Sequence, residues 1–273
     1  MKPNCARVLV ENVCFEYPGG IEALKGVSLA VGEEAVAVIG RNGGGKTTLM
    51  KHLNGLLRPK SGRVLIEGED IAPLSVAKVA RRVALSFQNP DDQLFNRTVE
   101  SEVAFGPRNV GLDEQKAAAN VNWALELFEL EPYRKENPSD LSFSLRKRVA
   151  IASAAAMDTS ILVLDEPTTG QDHHGIELLE RLIRELRQRG KTVITVTHDM
   201  EFVARNFPRV VVIAEGLVRA DGPCNVVFRD QGALALAQVA PPLAARLAAD
   251  AGWEGEIHTF EKLNAELKRR ISA

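Results

Sequence analysis

Several features that would narrow the function of a protein are scarce in this chain. Only three of its 273 residues are cysteines. Cys5, Cys14 and Cys224 are widely spaced and have no histidines nearby, which indicates reduced thiols rather than a disulfide framework or a metal site. No run of 18 apolar residues occurs, so the sequence predicts no transmembrane helix. Residues 1–13 lack the basic start and apolar centre of a signal peptide, and we expect a cytoplasmic protein.

An excess of charge of either sign is also missing. The 34 lysines and arginines nearly balance 36 acidic residues, which leaves a formal net charge of −2 at pH 7. A protein that binds nucleic acid through its overall charge would be clearly basic, so we expect no nucleic-acid partner. The hydrophobic content of 45% over this length suffices for one large domain, or for a domain with an appendage.

What the chain contains is an alternation of strand-like and helical patterns. The segments 161–164 and 193–196 are apolar and largely β-branched, which favours strands buried on both faces of a parallel sheet. The helical pattern of 176–189 between them completes a βαβ unit. Further strands are predicted at 8–13, 26–31, 35–39, 63–67, 83–87, 210–214 and 217–220, the last two as a hairpin, and further helices at 47–56, 113–130 and 145–157.

Beyond residue 223 the sequence is rich in alanine and leucine, which predicts a small C-terminal extension. Leu263, Leu267 and Ile271 recur every four residues. This spacing predicts a helix with one apolar face.

The strongest motif is the segment 40–47, which follows the pattern G-x-x-x-x-G-K-[ST]. It comes after the strand 35–39 and opens a helix, which is the context that this motif requires. Glycines let successive backbone N–H groups approach phosphate oxygens, while the N-terminus of the helix adds positive charge. We therefore predict that the loop binds MgATP, with Lys46 on the phosphates and Thr47 on the metal. The residues predicted to contact the nucleotide here are Gly40, Asn42, Gly43, Gly44, Gly45, Lys46, Thr47 and Thr48.

Two acidic residues, Asp165 and Glu166, follow the apolar strand 161–164. In α/β sheets ligands gather at the carboxyl ends of the strands. Asp165 is therefore expected to ligate Mg²⁺ opposite Thr47. Glu166 is the predicted general base that activates an attacking water.

Gln88 and His198 end two further predicted strands. We expect Gln88 to contact both the metal and the water, and His198 to contact the γ-phosphate or to hold the water. The predicted catalytic residues are then Lys46, Glu166 and His198.

The order of these features resembles the ATP-binding subunits of ABC transporters, over about residues 8–230. The residues that carry the resemblance are the phosphate loop, Gln88, Leu141, Ser142, Leu164, Asp165, Glu166, Gln171, Asp172 and His198. Other phosphate-loop families fit less well, because the chain has no guanine-reading N-K-x-D motif and no coiled-coil insertion between the two ATP motifs. The resemblance implies an α/β fold, the P-loop NTPase fold of ABC ATPases. This fold has a mixed or parallel core sheet, an antiparallel β subdomain and a helical subdomain at about 98–157, all within residues 1–223.

The segments 88–95, 103–107 and 168–172 resemble one group of ABC proteins in particular, the energy-coupling factor transporters. That group imports vitamins or the transition metals cobalt and nickel. The resemblance implies an ATPase that uses ATP and Mg²⁺ and lies in the cytoplasm, peripheral on the inner face of the cell membrane.

The same resemblance implies three partners and two further site residues. The partners are a second ATPase subunit, a transmembrane coupling subunit that docks at Gln88–Phe95, and a membrane-embedded substrate-binding subunit. The extension 224–273 matches the region that pairs the two ATPase subunits. Tyr17 matches the aromatic residue that stacks on adenine, and Ser142 matches the signature-loop serine that binds the γ-phosphate held on the partner.

The chain departs from the family in the signature loop, which normally reads L-S-G-G-Q. Phe143, Ser144 and Leu145 replace both glycines and the glutamine, within an altered segment 141–148. Donors of this kind contribute about 2.7–4 kcal/mol each in other enzymes. We therefore expect a heterodimer with an ATPase subunit whose signature is intact. The alternative is a homodimer in which Ser144 and the following helix bind phosphate. Gly44, where the family usually has serine, is expected to be a mild change.

Two other functions compete with transport. A soluble ABC ATPase that acts on DNA or ribosomes would need a long coiled-coil insertion or two cassettes in one chain, and the sequence contains neither. A nucleotide-gated regulator that does not hydrolyse ATP would need neither Glu166 nor His198. Transport is therefore the favoured function.

Overall fold

The computed structural model describes residues 6–253 and 255–271. The strands in this part of the chain are β1 (Val8–Tyr17), β2 (Ile21–Val31), β3 (Ala35–Ile39), β4 (Ser61–Ile66), β5 (Glu69–Asp70), β6 (Val83–Ser86), β7 (Ile161–Asp165), β8 (Thr192–Val196), β9 (Arg209–Ala214) and β10 (Leu217–Pro223). The helices are α1 (Lys46–Leu53), α2 (Val76–Val79), α3 (Val99–Val110), α4 (Glu114–Leu127), α5 (Phe143–Ala156), α6 (His173–Gln188), α7 (Met200–Asn206), α8 (Cys224–Val227), α9 (Gln231–Ala237), α10 (Leu243–Asp250) and α11 (Phe260–Ile271).

A central sheet orders its strands β10-β9-β3-β8-β7-β6. The strands from β9 to β6 run parallel, and β10 closes one edge antiparallel to β9. Every residue of β3, β7 and β8 is buried, as expected for strands that are covered on both faces. The predicted βαβ unit is β7–α6–β8. Because β3, β6, β7 and β8 are parallel, their carboxyl ends meet at one edge of the sheet.

A second, antiparallel sheet orders its strands β2-β1-β4-β5. Its apolar side chains share one core with α1 and with one face of the central sheet, including Val10, Leu49, Val38 and Val163. Helix α1 therefore lies between the two sheets. This packing supports the phosphate loop, because the loop leads directly into α1.

The other face of the central sheet is covered by helices. Phe128 after α4, Ile151 on α5, Leu182 on α6 and Phe202 on α7 belong to a single buried cluster with side chains of β3, β7 and β8. The fold class predicted from the sequence is confirmed: a mixed central sheet, an antiparallel sheet and a group of helices between β6 and β7.

The C-terminal part packs in two ways. Cys224, Phe228 and Leu234, on and around α8 and α9, join the main core. Helices α10 and α11 instead pack on each other through a small cluster that contains Ala248 and Leu263. The main core thus continues past residue 223, and the predicted division at that position stays a prediction. Among the described residues, no helix combines the length and the apolar composition that a membrane crossing needs.

Some element bounds differ from the sequence predictions. Helix α5 begins at Phe143, two residues before its predicted start, because the Ser142 side chain caps it. Helix α3 carries Pro107 in its interior and was not predicted as a separate helix. Helix α7, capped by Asp199, was also missed because its seven residues are too few to show a helical period.

Candidate functional site

The phosphate loop connects the end of β3 to the start of α1. Gly40 has a φ angle of +149° and Gly45 one of +106°. A Cβ on Gly40 would lie 2.0 Å from the carbonyl oxygen of Ile213 on β9, and a Cβ on Gly45 would lie 2.6 Å from that of Ala23 on β2. Both positions require glycine because the loop is pressed against backbone on two sides. Of the remaining predicted contact residues, Asn42 and Gly43 are exposed, Thr47 is half-buried, and Gly44 and Thr48 are buried.

Lys46 is the first residue of α1, and its side chain turns back into the loop. Its Nζ donates hydrogen bonds to the carbonyl oxygens of Gly40 and Arg41 at 2.7 and 2.9 Å. Burial lowers the pKa of this ammonium group, and the nearby carboxylates of Glu166 and Asp165 oppose that shift. The charge of Lys46 therefore lies between the loop and the two acids.

Asp165 ends β7 and is buried. Burial raises the pKa of its carboxyl group, while a hydrogen bond to the Thr47 hydroxyl opposes the shift. Its Oδ1 atom has no hydrogen-bond partner among the residues that the structure describes. A buried carboxylate oxygen without a partner, beside a threonine hydroxyl, fits Mg²⁺, which binds oxygen ligands and takes one or two carboxylates together with substrate phosphates.

Glu166 and His198 form a pair next to this carboxylate. Oε2 of Glu166 lies 2.7 Å from Nδ1 of His198, and the N–H of Glu166 donates to the carbonyl oxygen of Val196 at 2.8 Å. Glu166 has a φ angle of +49°. A left-handed conformation in a residue other than glycine costs about 1–3 kcal/mol, and such residues cluster at active sites. The structure thus brings together the predicted base and the predicted histidine.

Gln88 and Tyr17 are the two remaining residues that are predicted to contact the nucleotide or the metal from this chain's own site. Gln88 is exposed, two residues past the end of β6, and its carbonyl oxygen accepts a hydrogen bond from Lys147. The Tyr17 hydroxyl lies 3.1 Å from Oγ1 of Thr48, and its ring packs edge-on against Phe15. Tyr17 therefore adjoins the phosphate loop, while Gln88 is linked through Lys147 to the end of β7.

Comparison with known proteins agrees with this arrangement. The model of the ABC transporter family matches residues 24–169. The energy-coupling factor transporter ATP-binding protein EcfA1 of Methanospirillum hungatei is 44% identical over 239 residues, which are 87% of this chain and 86% of that protein. The chain belongs to the ABC transporter family.

Other members of the ABC transporter family show the same likeness. A relative in Methanosarcina acetivorans, whose name places it among ABC transporter ATP-binding proteins, is 45% identical over 89% of this chain. The chain spans only 40% of the length of that relative. The structure of cbiO1 from Clostridium perfringens, described as part of the ABC transporter complex cbiONQ, has a TM-score of 0.72 and 35% identity, covering 84% of this chain and 93% of that one.

The segment that replaces the signature loop of the ABC transporter family begins α5. Oγ of Ser142 accepts a hydrogen bond from the N–H of Leu145 at 3.4 Å and thereby caps the helix. Ser142 itself is exposed, so its hydroxyl faces solvent while it caps α5. The predicted contact of Ser142 with a partner's γ-phosphate stays a prediction.

The next two residues of that segment contact residues 170 and 171 of the same chain. Phe143 covers Gly170, where an added Cβ would lie 2.5 Å from Cδ1 and Cε1 of the ring. Nε2 of Gln171 donates to the carbonyl oxygen of Ser144 at 3.1 Å. The altered loop is therefore tied to the turn that follows Glu166.

Sequence reasoning missed Lys147, which is fully buried on α5. Burial lowers its pKa to about 8, and the carboxylates of Asp165 and Glu166 oppose this shift. Residues 149–156 of the same helix are buried on every side. That composition, apolar except for Ser153, was the available signal, because a lysine at the start of an enclosed helix needs partners inside the protein.

Proposed function

We propose that this chain is the ATP-binding and ATP-hydrolysing subunit of an energy-coupling factor type importer, which moves a vitamin, cobalt or nickel across a membrane. The observation that carries the proposal is the convergence of the phosphate loop, the buried Asp165 and the Glu166–His198 pair at one edge of the central sheet. The likeness to EcfA1 and cbiO1 supports the transporter class. The chain would work in the cytoplasm, bound peripherally to the inner face of the membrane.

In the proposed mechanism, each group contributes to one step of hydrolysis. Lys46 and the N–H groups of the phosphate loop bind the β- and γ-phosphates. Thr47, Gln88 and Asp165 would hold Mg²⁺, which neutralises charge on the phosphate oxygens. Glu166 accepts a proton from the attacking water as the bond between the γ-phosphorus and the bridging oxygen breaks, releasing ADP and phosphate.

His198 and Tyr17 complete the site. The imidazole of His198 orients the Glu166 carboxylate and reaches toward the γ-phosphate. Tyr17 provides a ring for the adenine base, and stacking of this kind is a common use of an amphipathic aromatic side chain. Its hydrogen bond to Thr48 keeps it next to the phosphate loop.

The segment 88–95 supports docking on a membrane subunit. Phe95 is 65% exposed and packs edge-on against Phe105, which is 45% exposed. The carboxylate of Glu102, which is buried, accepts hydrogen bonds from the N–H groups of Phe95 and Asn96 at 2.9 and 2.7 Å. A rigidly held aromatic pair on the surface suits an apolar helix of a transmembrane subunit.

Two polar residues of the docking segment have partners within the chain. Nε2 of Gln93 donates to the carbonyl oxygen of Ala150 and to Oγ of Ser153 at 2.8 and 3.0 Å. Asp91 forms an ion pair with Arg146 at 3.0 Å. Docking would therefore rest on the aromatic pair and on the exposed Asp92 more than on Gln93. A separate membrane-embedded subunit would bind the transported solute.

We also propose that the chain pairs with a second ATPase subunit. Phe143 occupies the position of a signature glycine, so a partner whose signature is intact would complete the site of this chain. The extension past residue 223 would contribute to that pairing. A homodimer is the competing arrangement.

Co-purification and ATP turnover test the proposed function together. The tagged chain, extracted from its native membranes with mild detergent, should bring down an integral membrane protein and a second ATPase subunit. The purified chain should bind ATP, and the complex should hydrolyse it at a rate that Glu166→Gln abolishes. Absence of ATP binding, or a nucleotide-binding chain that brings down no membrane protein, would refute the proposal.

A further inference from the structure

Lys147 contacts two of the three segments that carry the proposed magnesium ligands. Its Nζ donates to the carbonyl oxygens of Phe87 at 3.0 Å and Asp165 at 3.3 Å, and also to that of Gln88. Phe87 and Gln88 follow β6, while Asp165 ends β7. One ammonium group therefore connects the ends of two neighbouring strands.

The number of donors matches the number of acceptors. A protonated lysine has three N–H bonds, and here three backbone carbonyls surround it. The side chain has no exposed surface. Because the ammonium group itself is buried, its removal would leave these three carbonyl oxygens without their donor.

Lys147 also joins these strand ends to the helix that begins with the altered signature loop. Its two neighbours in sequence form ion pairs with the same regions. Arg146 pairs with Asp91 in the docking segment, and Arg148 pairs with Asp172 after Glu166, both at 3.0 Å. The first two turns of α5 therefore contact every segment that carries a proposed metal ligand or the general base, apart from the phosphate loop itself.

We propose that Lys147 is a positioning residue for Mg²⁺. By fixing the backbone at Gln88 and Asp165, it sets the separation of their side chains, so that both reach one ion beside Thr47. The ion site then depends on where α5 lies. This inference rests on the proposed function, because it assumes that the site binds MgATP.

The experiment measures how much Mg²⁺ strengthens nucleotide binding, without using turnover. The purified full chain is titrated with a fluorescent ATP analogue, once with excess Mg²⁺ and once with EDTA. The Kd in EDTA divided by the Kd in Mg²⁺ reports how much the metal site contributes to binding. Lys147→Met removes the donors at similar length, Lys147→Gln keeps two of them, and Lys78→Met on the exposed side of α2 is the control.

Lys147→Met should lower the ratio at least fivefold while the Kd in EDTA stays within twofold, because the phosphate loop is untouched. Lys147→Gln should fall between Met and wild type, and Lys78→Met should match wild type. An unchanged ratio in Lys147→Met would overturn the inference. So would a parallel rise of both Kd values, or failure of both Lys147 variants to fold, since these outcomes assign the lysine to the stability of the fold alone. Failure of the wild-type chain to bind the analogue at all would instead refute the proposed function.

Discussion

Nδ1 of His198 lies 2.7 Å from Oε2 of Glu166, and the two side chains differ sharply in exposure, at 68% for the histidine and 6% for the glutamate. The carboxylate is thus enclosed, whereas the imidazole that contacts it is largely exposed. This geometry suits a base whose orientation is fixed before substrate arrives.

Replacing Glu166 with glutamine should stop hydrolysis without weakening binding. A general base contributes about 10²–10⁴-fold to rate, so Glu166→Gln should lower ATP turnover of the assembled complex at least 100-fold. Nucleotide affinity should stay within twofold, because the phosphate loop is unchanged. Glu177→Gln, at an exposed position on α6, is the control and should keep full turnover. Turnover of Glu166→Gln near the wild-type rate would exclude Glu166 as the base.

Gly40→Ala should destabilise the protein much more than Gly44→Ser does. The added methyl at position 40 collides with the Ile213 carbonyl oxygen in a backbone conformation reserved for glycine, so the free energy of unfolding should fall by at least about 2 kcal/mol. Gly44 does not have a positive φ angle. A Cβ at that position would lie 3.0 Å from the Arg41 carbonyl oxygen. Gly44→Ser should therefore lower the free energy of unfolding by less than about 1 kcal/mol. Urea denaturation measures the free energy of unfolding of both variants. Equal losses in the two variants would contradict the prediction.

The double substitution Phe143→Gly, Ser144→Gly rebuilds the family's signature loop. If the altered loop limits hydrolysis, ATP turnover of the chain alone should rise at least tenfold, since preorganised donors of this kind affect rate strongly. The melting temperature should fall, because the ring that covers Gly170 is lost. Phe143→Leu, Ser144→Ala keeps the bulk and should show no gain. Unchanged turnover in the glycine variant would support a homodimer whose loop already functions.

Phe95→Ser should release the membrane subunit. The side chain is exposed and packs on Phe105 alone among aromatic residues in the described chain, so its loss should leave nucleotide affinity and stability nearly unchanged. Co-purification of the integral membrane partner should drop at least fivefold. Val76→Ser on α2, at another exposed apolar side chain, should co-purify normally. Equal recovery by both variants would place the docking surface elsewhere.

Cys224 should resist alkylation. Burial raises the pKa of its thiol to about 12, so almost no thiolate is present at pH 8, and the thiolate is the reactive form. In a Cys5→Ser background, iodoacetamide should modify the half-buried Cys14 at least tenfold faster than Cys224, as followed by peptide mass spectrometry. The two rates should converge in denaturant. Equal rates in the native protein would mean that α8 opens readily from the core.

Much of the fold and site was predictable because its signals are local. The apolar run before Gly40 and the glycines after it specify a strand, a tight turn and a helix within 20 residues. The apolar run 161–164 before Asp165 likewise specifies the strand β7. The family resemblance and the fold class are confirmed, while the roles assigned to Lys46, Glu166 and His198 stay predictions.

What could not be predicted depends on contacts between distant segments. Gln93 lies in the segment predicted to dock on a membrane subunit, and its amide bonds Ala150 and Ser153 on α5, about 60 positions away in the chain. Lys147 stands in a basic triplet that suggests a solvated helix face, yet it is buried against the ends of β6 and β7. The Glu166–His198 pair likewise forms because β7 and β8 are neighbours in the sheet.

The contact between Phe143 and Gly170 restricts the order in which this sequence can change over generations. Any side chain at position 170 would collide with the ring, and its φ angle of +72° already favours glycine. Loss of the ring at 143 would remove the collision at position 170 but not the preference of its φ angle for glycine. A lineage that acquired a side chain at position 170 would therefore have to lose the ring at 143 first, and the new residue would still have to adopt a left-handed backbone conformation.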